Sequence, residues 1–252
     1  MDKSKPGLVA HRGYALHFPE NTLLALEEAI RAGAEYVEVD VQLSADRVPY
    51  LFHDRDLLRL CEQKGAIHDY TAGELNAFHA SEPGRFGYKF VENPLTTLFG
   101  LVGLLQRNPA VTAFVELKRI SLQKFGVAEV LRQVISVLTP VRKQCVIISY
   151  ALDALQAVRS EYDWPVGAVI DDWNERKSQQ LFDLNPQYLF CDLDTLPRKG
   201  EIKFYASRIA VFECTDPAVA MQLYARGVEL VETFAIGEMI EKLDNASGSG
   251  SR

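Results

Sequence analysis

The sequence predicts an α/β fold, a (β/α)8 or TIM barrel with a small insertion, on three observations. Short apolar, β-rich runs alternate with amphipathic helical stretches from end to end, the pattern of repeated βα units around a parallel sheet. Eight such runs can be counted, and eight βα units close a barrel. The chain of 252 residues has the length such a barrel occupies as one domain.

The runs are Leu8 to Ala10, Tyr36 to Val41, Thr112 to Leu117, Cys145 to Ser149, Val166 to Ile170, Tyr188 to Cys191, Ile209 to Phe212 and Leu230 to Glu232. A helix is expected after each, such as Thr22 to Ala32 ended by Gly33, Thr96 to Gln106, and Pro217 to Arg226 ended by Gly227. One further run, Val48 to Phe52, lies only Ser44-Ala45-Asp46-Arg47 beyond the second strand. A parallel crossover needs about a dozen residues, so this run predicts an antiparallel hairpin. With its turn centred on Asp46 and Arg47, residues whose numbers sum to 93 face each other, which sets Asp40 opposite His53. Residues 54–95 are too long for an ordinary βα loop and read as a small insertion over the barrel mouth. The barrel is expected to fill residues 1–244 as a single catalytic domain. The remainder, 245–252 (NASGSGSR), has the make-up of a flexible tail or an appended scar.

Composition narrows the function classes. With 48% apolar and 24% charged residues the chain is of soluble globular type. A net charge of -7 argues against a nucleic-acid partner, whose backbone such a surface repels, so any phosphate must be held by local charges. The segment MDKSKPGLVAHRG has no apolar leader core, and no later run approaches the ~20 apolar residues of a membrane span. No membrane span and a cytoplasmic location are therefore expected. Cys61, Cys145, Cys191 and Cys214 stand singly, which suits buried free thiols.

Glu38-Val39-Asp40 places two carboxylates on one face of a strand, the interior face in a barrel. Two such groups repel each other and resist desolvation unless a cation sits between them or one is protonated. Glu116 ends the next barrel strand, at the edge where barrel enzymes keep their catalytic groups. Three carboxylates favour a hard cation, Mg²⁺ or Ca²⁺. Taken alone, Glu-x-Asp is a weak signal, since most such pairs are solvated surface carboxylates. His11, Arg12, Glu38, Asp40, His53, Glu116 and Lys118, however, all fall at C-terminal strand ends and converge on one mouth. Two imidazoles supply an acid and a base near neutral pH, and Arg12 and Lys118 complement a phosphate.

Ala10-His11-Arg12-Gly13, Pro19-Glu20-Asn21-Thr22, Glu38-Val39-Asp40, His53-Asp54 and Glu116-Leu117-Lys118 together resemble the ordered signature of the glycerophosphodiester phosphodiesterase family. Weaker echoes follow in Ile148-Ser149-Tyr150 and in Val211 to Pro217. The resemblance implies a (β/α)8 barrel with a small insertion, and hydrolysis of a small-molecule glycerophosphodiester to an alcohol and glycerol 3-phosphate, by attack of the substrate's own glycerol hydroxyl through a cyclic phosphate. It implies His11 and His53 as acid–base residues, Glu38, Asp40 and Glu116 as ligands of a divalent metal, and Arg12 and Lys118 as phosphate contacts. Phe212 and Thr215 stand where relatives usually carry Trp and Asn, so Phe212 is expected in an altered alcohol pocket. Phe99 stands where an acidic residue is common, and altered packing is expected there. The region after Gly227 ends Val231-Glu232-Thr233-Phe234, without the Thr-Asp pair frequent in relatives. Two other functions are open. One is a lysophospholipase D whose apolar groove would be lined by Phe78, Phe86, Tyr88 and Phe90, and the other is a non-catalytic barrel binding phosphorylated ligands. The oligomeric state is also open, a homodimer included.

Overall fold

The computed structural model describes residues 4–248. Nine strands lie among them: β1 (Gly7–His11), β2 (Tyr36–Leu43), β3 (Pro49–Leu51), β4 (Thr112–Leu117), β5 (Cys145–Ser149), β6 (Val166–Ile170), β7 (Tyr188–Asp192), β8 (Arg208–Phe212) and β9 (Val228–Thr233). Eight of them form a closed parallel barrel. β1 pairs with both β2 and β9, while β3 hangs antiparallel on the far side of β2. All eight expected runs are barrel strands, and the hairpin is present.

The barrel holds two apolar layers. Inside it, Val9, Tyr36, Phe114, Ile148, Val169, Phe190 and Leu230 fill the bore, with Phe114 stacked on Tyr36 and edge-on to Tyr188 and Phe190 at 4.9 and 5.0 Å. Outside it, the alternate residues of the same strands, such as Val37, Val39 and Val115, meet the helices. Helix Leu98–Arg107 buries Leu98, Leu101, Val102, Leu104 and Leu105, the spacing of one helical stripe. Helix Leu23–Arg31 starts where Thr22 accepts a hydrogen bond from the Ala25 N–H and donates one to the Pro19 carbonyl at 2.7 Å. Thr22→Ala is expected to cost about 1–2 kcal/mol, read as a lowered midpoint in urea unfolding, because a buried cap cannot be replaced by water.

Three details differ from the sequence expectations. The crossover from β7 to β8 has no α-helix, only a 3₁₀ turn at Leu193–Thr195. Pro197, Gly200 and the intervening charges forbid a helix there, and the buried Ile202 and Phe204 fill its place. The hairpin register is one residue shorter, since Val41 faces Leu51 and Leu43 faces Pro49. The turn is a three-residue loop in which Arg47 is left-handed (φ 66°), so Asp40 lies level with Phe52, whose N–H donates to the Asp40 carbonyl at 2.9 Å. Finally, the last helix, Ile236–Gly248, carries through the first four residues of the expected tail. Residues 249–252 lie outside the described residues.

The insertion has a small core of its own, in which Leu57, Leu60, Ile67 and Leu75 pack against Tyr50 and Phe52 of the hairpin. It is tied back to the loop after β1 by Arg85, which donates to the carbonyls of Ala15 and Leu16. All four cysteines are buried free thiols, and burial pushes those of Cys61, Cys145 and Cys191 up to about 12. Among the described residues no helix is long and apolar enough to cross a membrane.

Candidate active site

The C-terminal mouth of the barrel gathers the catalytic, metal-ligating and phosphate-contacting candidates of the sequence. His11, Arg12, Glu38, His53, Glu116, Lys118 and Phe212 line one cleft, together with Tyr150, Phe190 and Glu232. A larger cavity of about 560 Å³ opens at the opposite end, beside Tyr36, Arg208 and Glu229. That N-terminal face carries none of these groups, and conserved chemistry in barrels belongs to the other end.

Local backbone geometry explains how each side chain arrives. β1 ends in two consecutive left-handed residues, Arg12 (φ 56°) and Gly13 (φ 85°), which turn the chain over the mouth. A Cβ on Gly13 would stand 2.7 Å from the Ala25 backbone, so only glycine fits. Asn21, also left-handed, clamps Asp40 at both ends: its Nδ2 donates to the carboxylate at 2.8 Å and its Oδ1 accepts the Asp40 N–H at 3.1 Å. Glu20 bridges Arg12 (3.0 Å) and Arg59 of the insertion (2.7 Å). His53 stands beyond the end of β3, where Gln42 holds its segment by donating to the carbonyls of Phe52, His53 and Asp54. The one-residue shift of register therefore does not carry His53 away from the mouth.

Each histidine has its own carboxylate. His11 Nδ1 lies 2.9 Å from Glu213 Oε2, and His53 Nδ1 lies 2.9 Å from Asp54 Oδ1. A carboxylate only accepts, so both Nδ1 atoms carry the proton and both Nε2 atoms remain for chemistry. Glu213 is itself fixed by the Phe234 N–H at 2.8 Å, and the Phe234 ring stacks on His11 with centroids 4.6 Å apart. Asp54 is gripped by Arg59 through two nitrogens at 2.7 and 3.0 Å. Burial would raise the Asp54 carboxyl, but His53 and Arg59 hold it well below the usual range. Burial lowers the pKa of His11, with the Glu213 hydrogen bond opposing.

Between the histidines sit the acidic groups. Oxygens of Glu38, Asp40 and Glu116 all lie within 4.8 Å of one another. Lys118 Nζ bridges Asp40 at 3.0 Å and Glu116 at 2.9 Å, and Arg12 Nε approaches Asp40 at 3.2 Å. Burial would raise Asp40, but Lys118 and Arg12 take it far below the ordinary range. Glu38 goes the other way, pushed well up by burial and then by Asp40, Glu232 and Glu116. Glu116 is raised by burial against the pull of Lys118. Glu232 is raised by burial and then by Glu213 and Glu116.

This donor set fits a divalent cation. Glu38 Oε1 is buried without a hydrogen-bond partner, and the carboxyls of Glu38, Asp40 and Glu116 outnumber Arg12 and Lys118. Hard oxygen donors in negative surplus suit Mg²⁺ or Ca²⁺. A second triad with metal-like spacing, Glu20, His53 and Asp54, is already neutralised by Arg59.

Sequence reasoning left Glu213, Glu232 and Arg59 without roles. Glu232 carries a periodicity signal, two residues beyond the inward-facing Leu230, whereas Glu213, one residue past the inward-facing Phe212, carries none. Phe212 lines the cleft 6.4 Å from His11, whereas Thr215 is exposed. Phe99 is 60% exposed and touches nothing in the site. Of the four aromatics expected along an apolar groove, Phe78 turns into the insertion's core against Tyr70. Phe86 packs on Phe90, and Tyr88 is exposed.

Glu213→Ala is expected to lower kcat about 10- to 100-fold with little change in KM, the usual effect of removing a partner that only orients a working group. Glu213→Gln, which still accepts from Nδ1, should recover most of the loss in steady-state assays.

A closed parallel barrel with two histidines, two cationic groups and a carboxylate cluster converging on its C-terminal mouth has the arrangement of an enzyme barrel. The chain belongs to the glycerophosphoryl diester phosphodiesterase family, whose model matches residues 11–231. It is 43% identical over 74 residues to a glycerophosphodiester phosphodiesterase of Bacillus altitudinis, 29% of this chain and 30% of that protein. It is 34% identical over 98 residues to one of Caldanaerobacter subterraneus, 39% of this chain and 40% of that protein. The matched segments thus span less than half the length of these curated relatives. Among solved structures, a phosphodiesterase of Oleispira antarctica in complex with the product sn-glycerol-3-phosphate superposes with a TM-score of 0.82 at 24% identity, over 95% of this chain and 97% of that one. The glycerophosphodiester phosphodiesterase of Thermotoga maritima gives 0.69 at 25% identity, over 94% and 98%.

Proposed function

We propose that the chain hydrolyses glycerophosphodiesters to an alcohol and glycerol 3-phosphate, with Mg²⁺ or Ca²⁺ held by Glu38, Asp40 and Glu116. The observation that supports this most is the pair of histidines, each aimed by its own carboxylate, on either flank of the acidic trio. His11 Nε2 borders Glu38 at 3.8 Å, and His53 is an electrostatic neighbour of Asp40 and Glu116. When bound, the cation neutralises charge on the phosphate oxygens.

Arg12 and Lys118 then complement the same oxygens, Lys118 swinging from its carboxylate bridge toward the phosphate. One histidine takes the proton of the glycerol hydroxyl as that oxygen attacks phosphorus. The other gives a proton to the departing alcohol oxygen. Water opens the resulting cyclic phosphate with the two roles exchanged. The buried, neutral-leaning His11 is suited to accepting a proton, and the Oleispira neighbour holds the product this scheme ends on.

The deciding assay measures glycerol 3-phosphate released from glycerophosphocholine and glycerophosphoethanolamine, with and without Mg²⁺ or Ca²⁺. Metal-dependent release is expected. No release from a panel of such diesters under any metal condition would refute the reading.

A further inference from the structure

Glu232 has no part in the scheme above, yet it is a buried carboxyl with an oxygen that has no hydrogen-bond partner. It sits on β9, 3% exposed, with one carboxyl oxygen buried and unpartnered, and its side chain lines the active-site cleft. Its position is deep. Glu232 lies level with Val9 on β1, two residues below His11, which is level with Glu38 on β2. The cleft it lines is walled by Ile148, Val169, Phe190 and Phe212, which offer no hydrogen bond, and by Tyr150, and the charges acting on it are chiefly the carboxyls of Glu213 and Glu116. The cations of the site are engaged higher up, Lys118 with Asp40 and Glu116, and Arg12 with Asp40 and Glu20.

An unpaired carboxyl at the floor of a cleft is unfavourable in either protonation state unless a ligand completes it. Ionised or neutral, what it lacks is a hydroxyl: a carboxylate accepts from an alcohol, and a carboxylic acid both accepts from and donates to one. The apolar walls suit the carbon skeleton that carries such a hydroxyl.

We propose that Glu232 is a specificity residue that binds the distal hydroxyl of the substrate's glycerol, the hydroxyl that takes no part in the chemistry, while Phe190 and Phe212 enclose the carbons. This rests on the assignment of the phosphate to Arg12 and Lys118. It names the feature of the substrate that the pocket selects, a free polyol end. An acyl chain on that oxygen removes the donor and brings its bulk against the closed floor, so the subsite selects deacylated diesters over lysophospholipids.

The test is binding, which does not need turnover. Calorimetric affinities in Mg²⁺ or Ca²⁺ are compared for sn-glycerol 3-phosphate and for 1,2-propanediol 1-phosphate, identical but for the missing distal hydroxyl. Wild type is expected to favour the glycerol compound about 10- to 100-fold, the scale set by a buried polar group left unpaired. Glu232→Ala should bring the ratio near one by weakening the glycerol compound alone, and Glu232→Gln should keep a measurable preference. A ratio of two ligands in the same sample does not depend on the fraction folded. An unchanged ratio in Glu232→Ala, or no preference in wild type, overturns the subsite. A protein with the expected ratio that hydrolyses no diester keeps the subsite and loses the catalytic reading.

Discussion

Alanine in place of His11 or of His53 is expected to lower kcat by about 10²- to 10⁴-fold, the range for removing a positioned acid or base. Each histidine is fixed through Nδ1, by Glu213 or by Asp54, so that only Nε2 is presented to the cleft. Tyr150 lines the same cleft, but burial carries its hydroxyl far above its ordinary pKa. Arg12 and Lys118 hold their protons more tightly than usual against Asp40. The carboxylate trio is intact in both variants, so a calorimetric Mg²⁺ or Ca²⁺ titration should give near wild-type affinity while turnover collapses. The split separates loss of proton transfer from loss of the site. Two variants that both kept near wild-type rates would place the chemistry elsewhere.

The parts of this site that sequence made legible are those with short-range rules. Strand periodicity put Glu38 and Asp40 on one interior face, and strand ends put His11 and Glu116 at the mouth, because every parallel strand of a barrel points the same way. The hairpin register failed by one residue because it depended on the loop type. A left-handed Arg47 accommodates a three-residue loop, and nothing in Ser44 to Val48 announces that a non-glycine residue will adopt it. His53 survived the error because Gln42 holds the segment beyond the ladder, a contact of ten residues' separation that no pattern predicts. Glu213 and Glu232 were left without roles for a related reason. Their importance lies in what other strands bring beside them, His11 in one case and Glu213 and Glu116 in the other, and that is a property of barrel closure. The missing helix after β7 was the reverse case. Pro197 and Gly200 were readable as breakers, but the regular βα alternation outweighed them.

The acidic trio also links metal, pH and stability. Without metal, raising the pH from about 5 to 8 is expected to destabilise the folded chain, and saturating Mg²⁺ or Ca²⁺ to reverse much of that loss. Glu38, Glu116 and Glu232 all have native pKa values raised above their unfolded values, first by burial and then by neighbouring carboxylates, Asp40 among them. Between the unfolded and the native pKa the native state binds more protons than the unfolded state, so unfolding free energy falls as pH rises, by about 1.4 kcal/mol per pH unit for each fully coupled group. Asp40 and Asp54, with lowered values, act in the opposite sense, but their window lies below the ordinary carboxylate range and is complete before this one opens. A cation between Glu38, Asp40 and Glu116 favours the ionised carboxyls, so its binding releases protons and strengthens with pH. At about 100 times its dissociation constant it adds roughly 2.7 kcal/mol to folding. Thermal melts at pH 5, 6, 7 and 8 with and without metal read both effects, and Glu38→Gln separates them. The amide still accepts the Arg12 N–H that Glu38 holds at 3.2 Å, but it removes a carboxyl repelled by Asp40 and Glu232. The variant should therefore melt higher than wild type in metal-free buffer at pH 8 and respond less to added Mg²⁺ or Ca²⁺. A wild-type melting temperature indifferent to both metal and pH across this window would show that the trio binds no cation and that its carboxyls are not forced together.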